Sequence, residues 1–182
     1  MLNSEIHNNP KVENFREKAH LDIRDIDEVL TTNKIEYFLS AGTMLGAVRE
    51  KDFIEQDFDI DLCSMGFPEE IVRIMIQRDF KLKGFEVMPH EGTTSGMMSV
   101  VRNVKTDIHF FERKGRLALC KHKQDEPLFT IPLEYIKLRK ARLGKFKYNV
   151  ISNKYLDSVY RDWRTPMKEN YFKPDYYYFE TE

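Results

Sequence analysis

A chain of 182 residues with a net charge of −1 is long enough for one domain with a sizeable core, and its charge balance offers no bulk attraction to nucleic acid or to an acidic membrane surface. Its two cysteines, Cys63 and Cys120, lack the spacing of a metal knuckle or a disulfide framework. No apolar run approaches the ~20 residues of a membrane helix, and the N-terminus has no apolar leader core, so a soluble, cytoplasmic protein is expected.

Residues 1–9 are polar and are expected to be disordered. From Pro10 onward, Val12, Phe15, Ala19, Ile23, Ile26 and Leu30 recur at three- and four-residue spacing, which predicts a long amphipathic helix packed by one stripe on a sheet. Ile35 to Leu39 reads as a short buried strand. It runs into Ser40-Ala41-Gly42-Thr43 and then a short helix from Met44 to Arg49. Gly42 permits a tight turn and close backbone approach. Thr43 suits a helix start, with its hydroxyl available for capping or for a ligand. The positive end of such a helix suits a phosphate, and Arg49 on the same helix is a candidate phosphate contact.

Next comes Asp57-Phe58-Asp59-Ile60-Asp61-Leu62. Strand side chains alternate between faces, so the three carboxylates are expected on one face and the apolar three on the other, toward a core. Like charges this close repel, and a cation between them offsets the repulsion. Mg²⁺ or Mn²⁺, which take hard oxygen ligands, are the expected cofactors. An anion-binding turn followed by paired carboxylates is the layout that metal-assisted phosphoryl or nucleotidyl transfer requires.

Pro68-Glu69-Glu70 opens a helix whose buried side is expected to carry Ile71, Ile74, Met75 and Phe80. Phe85 to Met88 reads as a strand, 89–96 as a Gly- and hydroxyl-rich loop, and Met97 to Val104, Lys105 to Glu112 and Arg116 to Lys121 as further strands. Asp107 and His109 share one face of the second of these. Ile136 to Ser152 reads as a basic hairpin turning at Gly144, a solvated edge whose lysines discourage pairing. Ser152 caps a last helix in which Trp163 is expected to be structural. The aromatic segment 174–179 is expected to lie against the domain or a partner subunit.

Two segments carry a resemblance. Gly42-Thr43-Met44-Leu45-Gly46-Ala47-Val48-Arg49, followed by Asp57-Phe58-Asp59-Ile60-Asp61, resembles the glycine-threonine helix and Asp-rich strand of the LicD family of the nucleotidyltransferase superfamily. Tyr155-Leu156-Asp157 through Thr165-Pro166 is similar to that family's closing segment. Phe58 stands where the family usually has a further Asp, and Arg161 where Gly is common. The resemblance implies an α/β (α+β) fold, a nucleotidyltransferase-like mixed β-sheet flanked by helices in a single domain. It also implies Asp59, Asp61 and Asp107 as catalytic, metal-holding residues, with Gly42, Thr43 and Arg49 on the donor side; Asp57, at the edge of the acidic run, reads as a supporting carboxylate. The implied reaction moves a phospho-alcohol such as phosphocholine from a CDP-activated donor to a sugar hydroxyl of a glycan. Two alternatives stand beside it: transfer of a nucleoside monophosphate from a triphosphate to a small molecule or protein, and an inactive binding module of the same fold.

Overall fold

The computed structural model describes residues 14–54, 57–88, 96–123 and 126–166. Pro10, the segment 1–9, most of the loop 89–96 and the aromatic segment 174–179 lie outside the described residues.

Helix α1 (Phe15–Thr32) buries Phe15, Ala19, Ile23, Ile26 and Leu30, the stripe its spacing predicts. Strand β1 (Tyr37–Leu39) is buried at every position. Helix α2 (Ala41–Arg49) starts three residues before the expected Met44. Gly42 and Thr43 therefore belong to its first turn rather than to a preceding bend. Strand β2 (Asp59–Met65) follows, then helix α3 (Glu70–Leu82) and the short strand β3 (Glu86–Val87). Strands β4 (Met97–Val101), β5 (Lys105–Lys114), β6 (Leu117–Lys123) and β7 (Glu126–Pro132) come next. A hairpin of β8 (Arg139–Leu143) and β9 (Phe146–Val150) leads to helix α4 (Asn153–Val159), whose first turn is capped by the Ser152 hydroxyl accepting from the Lys154 N–H.

The described strands form one mixed sheet in the order β3-β4-β5-β2-β1-β9-β8, with β6 and β7 continuing from the far end of β5. β2 lies antiparallel to β1 and parallel to β5, and β1 is parallel to β9. The core runs along the middle of this sheet and includes Leu39, Ile60, Leu62, Ile108 and Phe110 together with Ile23, Ile26 and Leu30 of α1. Fully burying a side chain of this size contributes about 1.5–3 kcal/mol. Helices α1 and α3 pack together, as do α2 and α4.

One expectation is corrected. Ile71, Ile74 and Met75 lie on the outer side of α3, at 61%, 55% and 41% exposure, and the helix seats on the protein through Ile76 and Phe80. Both sets recur at helical spacing, so periodicity alone does not choose between them. The preference goes to the face of Phe80, whose ring meets Phe85 edge-on with centroids 5.5 Å apart.

Away from the center of the sheet, the β4–β5 turn is fastened to α1 by a buried carboxylate. Asp22 has no exposed surface and accepts from the Arg102 guanidinium, the backbone N–H groups of Asn103 and Val104, and Asn103 Nδ2. Arg102 also stacks over Phe85, 4.3 Å from its ring centroid. This fixes the start of β5, and with it the residues at 105 and 107.

Candidate active site

In β2, Ile60 and Leu62 are fully buried, while Asp59 and Asp61 point to the opposite face. β5 lies beside it with Asp59 opposite Lys105 and Asp61 opposite Asp107. Thr106 and Ile108 of β5 are buried, so Lys105 and Asp107 share the face of the two β2 carboxylates. Neighbouring strands are ~4.8 Å apart, and the four side chains form a compact patch of three acids and one base.

Asp57 lies just before β2 rather than within it, and Phe58 turns outward, 45% exposed, with its ring edge-on to Phe15. The carboxylate of Asp57 rests on the first turn of α2. A Cβ added to Gly42 would come within 1.9 Å of Asp57 Oδ2. That oxygen is buried and has no hydrogen-bond partner. Burial first, then the charge and contact of Asp59, then the charge of Asp61, push the Asp57 carboxyl up to about 9. Asp61 is driven in the same direction, by burial first and then by the charges of Asp59 and Asp107; Lys105 pulls the other way.

Asp107 is the most firmly held of the acids. Ser99, opposite it on β4, donates its hydroxyl to Oδ1, and Lys105 Nζ lies 2.6 Å from Oδ2. Thr43 is fully buried, and its hydroxyl accepts from the Asp61 N–H at 3.0 Å. The Ser40 N–H in turn donates to the Asp61 carbonyl at 3.0 Å. Thr43 thus links the start of α2 to the acidic strand. Ala41 adopts a left-handed φ of 43°, and its N–H donates to the buried Tyr155 hydroxyl at 3.3 Å.

Arg49 sits at the other end of α2, ~10 Å along the axis from Gly42. Its guanidinium donates to the Trp163 carbonyl at 3.1 Å and to Glu50 Oε1 at 2.7 Å. Trp163 is buried, and its indole N–H donates to Asp157 Oδ1. His109 shares the face of Asp107, but its Nδ1 lies 3.8 Å from the buried Cys120 sulfur. The structure therefore puts Asp59, Asp61 and Asp107 on one face of the β2–β5 pair, seats Asp57 on Gly42 beside them, and holds Arg49 at a distance. Lys105, Ser99 and Tyr155 also belong to this site and are not marked by the sequence motifs. The alternation of strand side chains does put Lys105, two residues before Asp107, on the same face.

The donor set is entirely hard oxygen, and Asp57 Oδ2 is buried with no hydrogen-bond partner, so the residues suit a divalent cation chemically. Among the described residues no group of three or more His, Cys, Asp or Glu side chains is gathered closely enough to hold a metal ion. Asp107 in this conformation is shared between Ser99 and Lys105.

An acidic β2–β5 pair beside a glycine-containing helix start is the arrangement of a nucleotidyltransferase-type domain. Residues 34–153 match the family model described as LicD/FKTN/FKRP, nucleotidyltransferase domain, and the chain belongs to that family. Two curated relatives are 38% identical to it over 65 residues, the uncharacterized proteins RT0683 of Rickettsia typhi and RP689 of Rickettsia prowazekii. The match covers 36% of this chain but only 21% and 24% of theirs. Among solved structures, ANT(2")-Ia in complex with adenylyl-2"-tobramycin aligns at a TM-score of 0.46 and 16% identity, covering 74% of this chain and 71% of that one. A cytoplasmic RNA terminal U-transferase aligns at 0.37 and 17%, covering 54% and 29%. No helix among the described residues is long and apolar enough to cross a membrane.

Proposed function

We propose that this domain is a transferase that moves a phosphate-linked group from a nucleotide-activated donor to a hydroxyl, with Asp59, Asp61 and Asp107 holding Mg²⁺ or Mn²⁺. The observation that carries the reading is the direct register of Asp61 with Asp107 on neighbouring parallel strands, beside the first turn of α2. A bound divalent cation there supplies charge stabilisation to a phosphate and lowers the pKa of an attacking hydroxyl.

The chain's own residues do the rest. Ser99 and the strand register fix the orientation of Asp107. Thr43 and Ser40 tie the backbone of Asp61 to α2, so that the acids and the Gly42 turn move as one body. Gly42 leaves the space that Asp57 fills, which keeps that carboxylate behind Asp59 and Asp61 as a supporting oxygen. Arg49 holds the Trp163 segment against α2, a positioning role in place of direct phosphate contact.

Within this class the favoured donor is a CDP-linked alcohol such as CDP-choline, and the favoured acceptor a sugar hydroxyl of a glycan. Family membership supports that choice. The test is product analysis of the full chain with Mg²⁺ and labelled CDP-choline, in parallel with labelled nucleoside triphosphates. Release of CMP from CDP-choline is expected. Pyrophosphate release from a triphosphate would replace the reading with nucleotidyl transfer, and consumption of neither across a panel of CDP-alcohols and triphosphates would sink the enzymatic reading.

A further inference from the structure

Three acids and a single base make up the patch on β2 and β5, and the base is placed as closely as the acids. Lys105 stands opposite Asp59 in the strand register and two residues before Asp107 on the same face. Its Nζ lies 2.6 Å from Asp107 Oδ2, and its side chain is 37% exposed, against 13% for Asp107. The other groups facing it are Asp59 and Asp61 on β2 and, behind Asp107, Ser99 on β4. An ammonium at this distance occupies one of the oxygens a divalent cation needs. A flexible four-carbon stem lets it leave without moving the backbone.

We infer that Lys105 is a resident counter-charge that holds Asp107 in the cation-free protein, yields that oxygen when a divalent cation binds, and then contacts the donor's anionic phosphate. This rests on the functional reading above and assigns a residue that reading does not use. Three consequences separate it from a merely structural lysine. Losing Lys105 removes a competitor for Asp107, so cation binding tightens. It also removes a contact to phosphate, so nucleotide binding weakens. Finally, it leaves the acids uncompensated, so the cation-free protein melts lower and saturating cation closes the gap.

The experiment is Mn²⁺ titration of the full chain by calorimetry, then CDP titration at saturating Mn²⁺, for wild type, Lys105→Met and Lys105→Arg. Lys105→Met is expected to bind Mn²⁺ about tenfold more tightly and CDP about tenfold more weakly. Lys105→Arg, which keeps the charge, is expected to stay within about threefold of wild type for CDP. Unchanged or weakened Mn²⁺ binding in Lys105→Met, or unchanged CDP binding, overturns the inference while leaving the metal site standing. A wild type that binds no Mn²⁺ overturns the functional reading itself and this inference with it. If Lys105→Met does not fold, Lys105→Gln takes its place with the same expected directions.

Discussion

The carboxylate of Asp57 is seated on the backbone of Gly42, so closely that even a methyl group at residue 42 would lie 1.9 Å from Oδ2 and 2.6 Å from Cγ. Replacing a glycine by alanine inside a helix ordinarily stabilises by ~0.5–1 kcal/mol. Here the overlap reverses the sign. We predict that Gly42→Ala lowers stability by about 1–3 kcal/mol, the usual cost of forced overpacking. Chemical denaturation checks it. The added substitution Asp57→Ala is expected to return most of the loss, and two independent losses that simply add would refute the contact.

Asp57 also sets an expected pH dependence. Its folded carboxyl is raised to about 9, above the ordinary carboxylate value of 3.8. The folded state therefore keeps a proton that the unfolded chain has released. The stability tied to this group is full below about pH 4 and is lost as pH rises toward about 9. The prediction is that the metal-free wild type loses stability between pH 6 and 9 relative to Asp57→Asn, by at most about 1.4 kcal/mol per pH unit. Denaturant melts at three pH values measure it. A constant difference between the two proteins across that range is the contrary result.

Among the described residues Asp22 is an acid with no exposed surface and a full set of partners. Asp22→Ala is predicted to cost about 2–4 kcal/mol, because it takes the acceptor from the buried N–H groups of Asn103 and Val104, while Arg102 keeps its ion pair with Asp25. Thermal and denaturant unfolding check the size. A loss below about 1 kcal/mol would show that water replaces the carboxylate without penalty.

The start of α2 carries strain that the Tyr155 hydroxyl helps to hold. Ala41 has a φ of 43°, a conformation that costs a non-glycine residue of order 1 kcal/mol. Ala41→Gly is predicted to stabilise the protein by about 0.5–1 kcal/mol. Tyr155→Phe leaves the Ala41 N–H without its acceptor and is predicted to destabilise by about 1–3 kcal/mol. The two shifts of opposite sign are read in the same unfolding assay.

These relationships divide by how far apart their partners lie in the chain. The alternation of Asp59, Ile60, Asp61 and Leu62 is local, so the period-two rule places both carboxylates on one face, where the structure has them. The α1 stripe is equally local and equally legible. Asp22 and Arg102 are separated by eighty residues, and no periodicity links them. The α3 stripe misleads because Ile71, Ile74 and Met75 are as regular as Ile76 and Phe80, and only the docking of the helix separates them. β7 escaped the strand pattern because Pro127 and Pro132 interrupt it. The contact of Asp57 with Gly42 depends on a chain reversal between α2 and β2, which composition does not describe. Family resemblance marks Asp107, and its register with Asp61 is a property of the assembled sheet.

The central claim is that the acids of β2 and β5 share a divalent cation, and calorimetric Mn²⁺ titration of the wild type against Asp61→Asn tests it most directly. The account predicts saturable binding by the wild type, at least about tenfold weaker binding by Asp61→Asn, and a variant that stays folded because a source of repulsion has gone. Equal Mn²⁺ affinity in the two proteins, or no binding by the wild type even with CDP present, would contradict it.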